Sequence, residues 1–297
     1  MSSSPVSHPT SPHPTSADSL DPAFVFDFHA YGEPDSADQR WSTWLEVEPL
    51  CRGPEPRPDW VVTEQAAIDT ELGVLKTGKE ADVFLLERGV DGGPSVVMAA
   101  KRYRGADHRN FHRSSAYTEG RRGRNTRDSR AVARGTRFGR AVAAGRWAYA
   151  EWESLKLCWT LGLPVPYPVQ IDGTELLMEW ICVGPAHDPE TAPRLAQTRP
   201  APDLLMSYFE QLREAMATMA QHGIVHGDLS AYNLLAAGER LVIIDLPQVV
   251  DLLGNPQGMD FLLRDCANVC AWFRSKGLDP DVADEHALFS DLLTTAF

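Results

Sequence analysis

The alternation of apolar and polar positions predicts several antiparallel strands in the first half of the chain. Strand-like patterning covers residues 60–86, within which residues 73–86 read as a strand, a tight glycine-containing loop and a second strand. A Gly-Gly-Pro turn separates these from a third strand over residues 95–101, which ends in a single lysine. Residues 169–179 are typical of a hairpin built around an Asp-Gly turn.

Helical spacing of apolar residues predicts the remaining elements. Trp147, Glu151, Leu155 and Cys158 recur at intervals of four, four and three, which predicts a helix over residues 141–161. A second helix is expected over residues 204–221, a strand over residues 241–244 and helix again towards the C-terminus. Residues 1–40 are rich in Ser, Pro, His and Asp, and such a composition predicts a disordered tail because it buries too little apolar surface.

Charge is distributed unevenly along the chain. The net charge of −13 argues against general attraction to nucleic acid, yet residues 102–146 hold thirteen arginines against three acidic residues, a net +10. Neither an apolar run of about 18 residues nor the features of a signal peptide occur, so we expect a cytoplasmic protein that does not enter the membrane.

Several groups of polar residues follow one another in a fixed order along the chain. A glycine-containing loop, Thr77-Gly-Lys-Glu-Ala81, joins two predicted strands, and Lys101 ends the third. His226-Gly-Asp-Leu-Ser-Ala-Tyr-Asn233 follows far downstream, and Asp245 comes after a further apolar strand. This layout predicts an α+β fold with two kinase-like lobes, an N-lobe (residues 41–180) of antiparallel sheet plus a helix and a mostly helical C-lobe (residues 181–297).

Each of these residues has a chemical reason to be there. Phosphoryl transfer depends on positioning and charge neutralisation, so Asp228 is expected to accept the hydroxyl proton and Lys101 to neutralise phosphates. Asn233 and Asp245 offer the oxygen ligands that Mg²⁺ prefers. Lys101 needs a carboxylate partner, and Glu151 is favoured over Glu153 because a charge on an apolar helix face is costly unless it is paired.

These motifs resemble the RIO family of atypical kinases, most closely its bacterial branch. The resemblance covers about two thirds of the chain and implies ATP in the cleft between the lobes, with Mg²⁺ or Mn²⁺. It implies that Ser230 stands where typical protein kinases have a lysine, and that Asp245 can itself accept phosphate. It also implies a nucleotide-binding set that comprises Thr77, Gly78, Lys79, Glu80, Lys101, Met178 at the back of the pocket, and Glu179 and Ile181 in the hinge.

Departures from the usual kinase pattern predict a reduced C-lobe. Gly227 replaces the arginine that would bind a phosphorylated activation loop, and Pro247 restricts φ where a glycine would allow a flip. No Ala-Pro-Glu sequence follows Asp245. We therefore expect neither an activation loop nor a platform for peptide substrates.

Three functions remain open at this point. The first is an ATP- and Mg²⁺-dependent serine/threonine kinase that also phosphorylates itself or hydrolyses ATP. The second is an ATP-gated assembly factor whose arginine-rich loop, residues 102–146, binds ribosomal RNA, a pre-ribosomal particle or an acidic protein, with Tyr103, Phe111, Tyr117 and Phe138 available for stacking. The third, a small-molecule phosphotransferase, is disfavoured because little chain follows Asp245 to hold a substrate.

Overall fold

A computed structural model describes residues 36–104, 137–247 and 249–296, and for residues 137–142 only the backbone. The N-terminal half forms one six-stranded sheet, in the order β1-β2-β3-β4-β6-β5, in which every neighbouring pair is antiparallel. Its strands are β1 (Gln39–Trp41), β2 (Ile68–Thr77), β3 (Ala81–Gly89), β4 (Ser95–Tyr103), β5 (Pro168–Asp172) and β6 (Glu175–Glu179).

Helix α1 (Arg137–Thr160) lies between β4 and β5 and covers one face of this sheet. The alternation within β6 shows the two faces, because Leu176 packs in the main core with α1 whereas Leu177 packs on the opposite face. That opposite face is covered by the segment that precedes β2, which contributes the buried Trp44. The N-lobe sheet is therefore enclosed on both sides.

The C-lobe is built from three helices and short two-stranded pairings. Its helices are buried along one side and pack against α1 and the C-lobe strands in the main hydrophobic core of the molecule. The elements are β7 (Cys182–Val183), β8 (Glu190–Thr191), α2 (Pro202–Gln221), β9 (Ile224–Val225), β10 (Leu234–Ala237), β11 (Arg240–Ile243), β12 (Val250–Asp251), α3 (Gly258–Ser275) and α4 (Glu285–Ala296).

The predicted elements are largely confirmed, with corrections at the borders of the basic segment. Arg102 and Tyr103 belong to β4, and residues 137–146 form the start of α1, so the loop expected over residues 102–146 is shorter than predicted. Its remaining residues, 105–136, lie outside the described part of the chain, as do residues 1–35 of the expected disordered tail. Gln39 and Arg40, also assigned to that tail, lie in β1 and pair with β2.

Few residues separate Asp245 from the next long helix. After Asp245 the chain passes through β12 and enters α3 at Gly258, without a long intervening segment in the part described. Helix α2 agrees with the helix expected over residues 204–221, and β11 with the strand expected over residues 241–244.

Candidate active site

Side chains along β4 alternate between the two faces of the sheet, and this alternation decides which of them face the cleft. Ala100 packs with Trp44 and Leu177 on the face of the sheet opposite α1. Its neighbours Ala99 and Lys101 therefore face α1 and the C-lobe. The Lys101 ammonium lies 2.7 Å from a carboxylate oxygen of Glu151 on α1 and 2.8 Å from Oδ1 of Asp245. One lysine of the sheet thus binds a carboxylate from the helix and another from the C-lobe.

The choice between the two glutamates of α1 follows the helical periodicity. Glu151 is buried and accepts a hydrogen bond from the Tyr103 hydroxyl as well as from Lys101. Glu153 is exposed and forms an ion pair with Lys156 on the outside of the helix, at 2.8 Å. The pairing of Lys101 with Glu151 that the sequence predicts is therefore present.

Electrostatics keep this cluster charged. Burial alone would lower the pKa of Lys101, but the carboxylates of Asp245 and Glu151 outweigh burial and raise that pKa well above its ordinary value. The Lys101 charge lowers the pKa of Asp245 to about 2, against the effect of burial. Burial and the nearby Glu151 raise the pKa of Tyr103, which stays a neutral hydroxyl donor.

The backbone at Asp245 is itself unusual. Its φ is +67°, the single positive value for a residue other than glycine in the described chain, and such a conformation is uncommon for an L-residue. The preceding strand β11 and the following Leu246 are buried, so packing on both sides holds this conformation. The side chain, by contrast, is 43% exposed and points from the C-lobe towards Lys101.

Hydrogen bonding between β10 and β11 places Asn233 beside Asp245. Leu234 pairs with Ile243, and the N–H of Ile244 donates to the carbonyl of Asn233 at 3.0 Å. The Asn233 side-chain amide donates to the carbonyl of Asp228 at 2.9 Å, which leaves its Oδ1 as the atom open to a cation.

The loop that carries Asp228 is held by its own histidine and by α3. The N–H of Asp228 donates to Nδ1 of His226 at 3.3 Å, and the other ring nitrogen lies 3.2 Å from the carbonyl of Ile244, to which it donates in this tautomer. Asp265 of α3 accepts hydrogen bonds from the N–H groups of Gly227 and Leu229, at 2.8 and 2.9 Å. Both neighbours of Asp228 are thereby fixed.

Sequence reasoning missed Asp265, although its signal was present. Asp265 is a buried carboxylate on the apolar face of α3, and burial raises its pKa to about 6 although His226 and the two backbone donors lower it. Burying a charge without a partner costs free energy, and this argument, which favours Glu151 over Glu153, applies equally to Asp265. Arg264, its neighbour, donates to the carbonyl of Gly227.

The glycine-containing loop makes a tight turn between β2 and β3. The N–H of Gly78 donates to the carbonyl of Ala81 at 3.0 Å, and a Cβ at position 78 would lie 2.7 Å from that oxygen. Only glycine therefore fits this turn without a shift. Thr77, Lys79 and Glu80 are exposed around it.

The expected hinge follows β6 directly. The N–H of Glu179 donates to the carbonyl of Tyr167, and the carbonyl of Ile181 accepts from Ala192, both at 2.9 Å. Within the described chain no backbone hydrogen bond uses the N–H of Ile181. Met178 packs partly buried against the main core, and a small apolar cluster lies beneath the hinge: Ile181, Ala192 and Val242, with Leu235 and Ile244 against them.

Ser230 lies on the loop that carries Asp228. Its backbone is extended and its carbonyl accepts from the N–H of Asn233 at 2.9 Å, while its hydroxyl forms no hydrogen bond to the residues described. The described residues also contain no cluster of three or more His, Cys, Asp or Glu side chains that could hold a metal. Asn233 and Asp245 fit Mg²⁺ nonetheless, because Mg²⁺ commonly takes one or two protein ligands and completes its shell with water and phosphates.

Comparison with known proteins accounts for this arrangement. The family model described as RIO domain matches residues 95–287, which include Lys101, Glu151, Asp228 and Asp245. The chain belongs to the RIO family. The match begins after the glycine-containing loop, so that loop is placed by the structure and not by the family model.

Curated RIO relatives agree with the family model. The chain is 35% identical over 220 residues to the RIO-type serine/threonine-protein kinase Rio1 of Haloferax volcanii, which covers 74% of this chain and 69% of that protein. It is 26% identical over 230 residues to the serine/threonine-protein kinase RIO3 of Mus musculus, which covers 75% of this chain and 42% of that protein. The chain thus spans less than half of the mouse relative.

A solved structure supports the RIO fold. The Rio2 kinase of Chaetomium thermophilum, in a complex described as ADP/Mg²⁺-phosphoaspartate, matches with a TM-score of 0.51 at 20% identity, over 76% of this chain and 62% of that one. The predicted two-lobed α+β fold is confirmed. No helix in the described ranges has the length and apolar character needed to span a membrane.

Proposed function

We propose that this RIO protein is an atypical serine/threonine protein kinase that uses ATP and Mg²⁺. The observation that carries the proposal is the contact of Lys101 with both Glu151 and Asp245, since it places a phosphate-neutralising cation beside an ionised metal ligand. The names of the curated relatives and the ADP and Mg²⁺ of the Chaetomium structure support it.

The residues divide the reaction among them. Asn233 and Asp245 would hold Mg²⁺, which would supply positive charge to neutralise the phosphates. Asp228, on a loop fixed at both neighbouring N–H groups, accepts the proton of the attacking hydroxyl. Lys101 neutralises phosphate charge, and Ser230 lies on the same loop close to Asp228.

Nucleotide binding involves the remaining predicted residues. Thr77, Gly78, Lys79 and Glu80 would cover the phosphates, with the tight Gly78 turn letting the backbone approach them. The unused N–H of Ile181 would donate to the adenine, with Met178 at the back of the pocket and Glu179 leading into the hinge.

The decisive experiment incubates the protein with γ-labelled ATP and Mg²⁺. We expect label on protein hydroxyls in the wild type and none with Asp228→Asn, while ATP binding persists in that variant because Asp228 acts on the hydroxyl and not on the nucleotide. Asp291→Asn, an exposed change on α4, is the matched control. Full labelling by Asp228→Asn would disprove the assignment of the base.

The same labelled protein tests whether Asp245 accepts phosphate. A phosphoaspartate is named for the Chaetomium structure, and here the Asp245 carboxylate is ionised and 43% exposed. In that step Asp245 Oδ attacks the γ-phosphorus and ADP leaves. A label that survives both acid and hydroxylamine indicates serine or threonine phosphate, whereas an acyl phosphate is cleaved by hydroxylamine and is absent from Asp245→Asn.

We propose that any contact with ribosomal RNA or a pre-ribosomal particle is made by residues 105–136. The end of the basic segment that adjoins β4 is already neutralised, because Arg102 pairs with Glu71 and Glu175, and Arg104 pairs with Asp82. Tyr103 is buried against Glu151, so its expected stacking on bases is wrong. A salt titration of RNA binding tests the proposal, since phosphate contacts give a steep slope and deletion of residues 105–136 should abolish it.

A further inference from the structure

Lys76, a residue with no part in the proposed mechanism, lies on the cleft face of the N-lobe sheet. It pairs with Val83 of β3, and Val83 pairs with Lys101 of β4. Residues directly opposite one another in antiparallel strands carry their side chains on the same face. Lys76 and Lys101 therefore share the face that meets the C-lobe, two strands and roughly 10 Å apart.

Arg194 approaches the same cleft from the C-lobe. It stands immediately before the short 3₁₀ turn Leu195–Gln197 and forms a β-bridge with Leu235. Its guanidinium donates to the carbonyl of Tyr232, within the loop that runs from Asp228 to Asn233. The charge of Arg194 is thereby fixed against the loop that carries Asp228.

Lys76 is influenced by charges of both lobes. Its pKa is lowered first by burial, then by Arg194 and, more weakly, by Lys101, while Asp245 acts in the opposite sense. Neither Lys76 nor Arg194 forms an ion pair with a carboxylate of the described residues. Lys76 thus lies within electrostatic reach of Arg194, Lys101 and Asp245, and cations that approach one place from both lobes suit a multiply charged anion.

We propose that Lys76 and Arg194 bind the phosphate chain of the nucleotide from opposite lobes. Two like charges repel across the open cleft, and an anion placed between them removes that repulsion and draws the lobes together. The clamp recognises a nucleoside polyphosphate through its charge and contributes nothing to recognition of the base. The inference rests on the proposed function, because it assumes that ATP occupies this cleft.

The test compares ligands that differ only in charge. Dissociation constants of ATP, ADP and adenosine are measured by titration calorimetry with Mg²⁺ for the wild type, Lys76→Met, Arg194→Met and the double variant. Arg213→Met, an exposed change of the same charge on α2, is the control. We expect each single change to weaken ATP binding about tenfold, as for a lost hydrogen bond to a charged group, and to leave adenosine binding unchanged.

Each alternative outcome has a distinct meaning. Unchanged ATP affinity in Lys76→Met, or an equal loss for adenosine and ATP, would overturn the clamp. Failure of the wild type to bind ATP would overturn the proposed function instead. Because Arg194 also holds the Tyr232 carbonyl, an unfolded Arg194→Met leaves Lys76→Met to decide the question.

Discussion

Tyr103 shows how one hydroxyl can position a residue that lies beyond it. It donates to Glu151 from β4, while the Lys101 ammonium lies 5.3 Å from the centre of its ring. Glu151 in turn binds Lys101. Tyr103 is thus a positioning residue for the lysine that the proposed mechanism uses.

Replacing Tyr103 by Phe should impair phosphate transfer more than stability alone would explain. Loss of a hydrogen bond to a charged group corresponds to about a tenfold fall in kcat/KM for ATP. Tyr208→Phe is the matched control, since the Tyr208 hydroxyl donates to the carbonyl of Gly238 away from the cleft. Thermal melts and steady-state kinetics of both variants check this expectation, and equal kinetic effects in the two would contradict it.

The pKa of Asp265 predicts how kcat depends on pH on the acid side. Its pKa of about 6 means that it is ionised above that pH and accepts from both Gly227 and Leu229. Protonation below pH 6 turns one oxygen into a donor and releases part of the loop that carries Asp228. We therefore expect kcat to fall as the pH drops through about 6.

Protonation of Asp265 should raise the stability of the folded state, although it lowers kcat. Because folding raises this pKa, protonation of Asp265 favours the folded state, and that contribution is lost as the pH rises from about 4 to 6. Loss of activity in this range would then not reflect unfolding through this group. Asp265→Asn should lower kcat at pH 8 at least tenfold and remove the limb. A limb that persists belongs to another group, and the ionisable side chains nearest to Asp265 in the described chain include His226 and Arg264.

Single residues were predictable where one physical cost dominated. The buried charge of Glu151 and the spacing from Asp228 to Asn233 could be read directly from the chain. Lys76 and Arg194 could not, because a strand-end lysine and a loop arginine have the same local pattern whether they face solvent or a cleft. Their relation depends on the register of β2 with β3 and on a bridge to Leu235.

At the scale of elements, periodic segments were predicted well and short ones were not. Helix α2 shows a clear apolar stripe and was expected within two residues of its observed start. The strands β1, β9 and β12 have two or three residues each, too few to show alternation. They exist because distant partners satisfy their backbone groups.

Two glycines at helical positions should respond to alanine in opposite ways. A Cβ at Gly145, within α1, meets none of the described residues within 4 Å, so Gly145→Ala should raise the free energy of unfolding by about 0.5–1 kcal/mol through helix propensity. At Gly258, the first residue of α3, a Cβ would lie 2.2 Å from the Leu252 carbonyl oxygen, and Gly258→Ala should destabilise the fold. Denaturant unfolding of both variants measures this contrast, and a loss of stability in Gly145→Ala would contradict it.

At the scale of the whole molecule, the Lys101–Asp245 contact joins the two lobes across the cleft. In the N-lobe, β4 and the contact with Glu151 hold Lys101 in place. In the C-lobe, the buried residues of β11 hold Asp245 in place. Mg²⁺ bound by Asp245 would compete with Lys101 for the same carboxylate, and the nucleotide phosphates would then take over as partners of the lysine. The two lobes would then be linked through the bound nucleotide and Mg²⁺, and no longer by the direct ion pair of Lys101 with Asp245.

This exchange predicts how ligands change the melting temperature. ATP at one hundred times its dissociation constant should stabilise the folded chain by about 2.7 kcal/mol, and more so with Mg²⁺ than with a chelator, because the metal engages Asp245 and Asn233. Asp245→Asn should lose the Mg²⁺-dependent part of the shift and keep the rest, since adenine recognition lies in the hinge. Thermal melts with ATP, with and without Mg²⁺, measure this, and Asp291→Asn should match the wild type. An equal shift with Mg²⁺ and with chelator in the wild type would show that Asp245 does not bind the metal with the nucleotide.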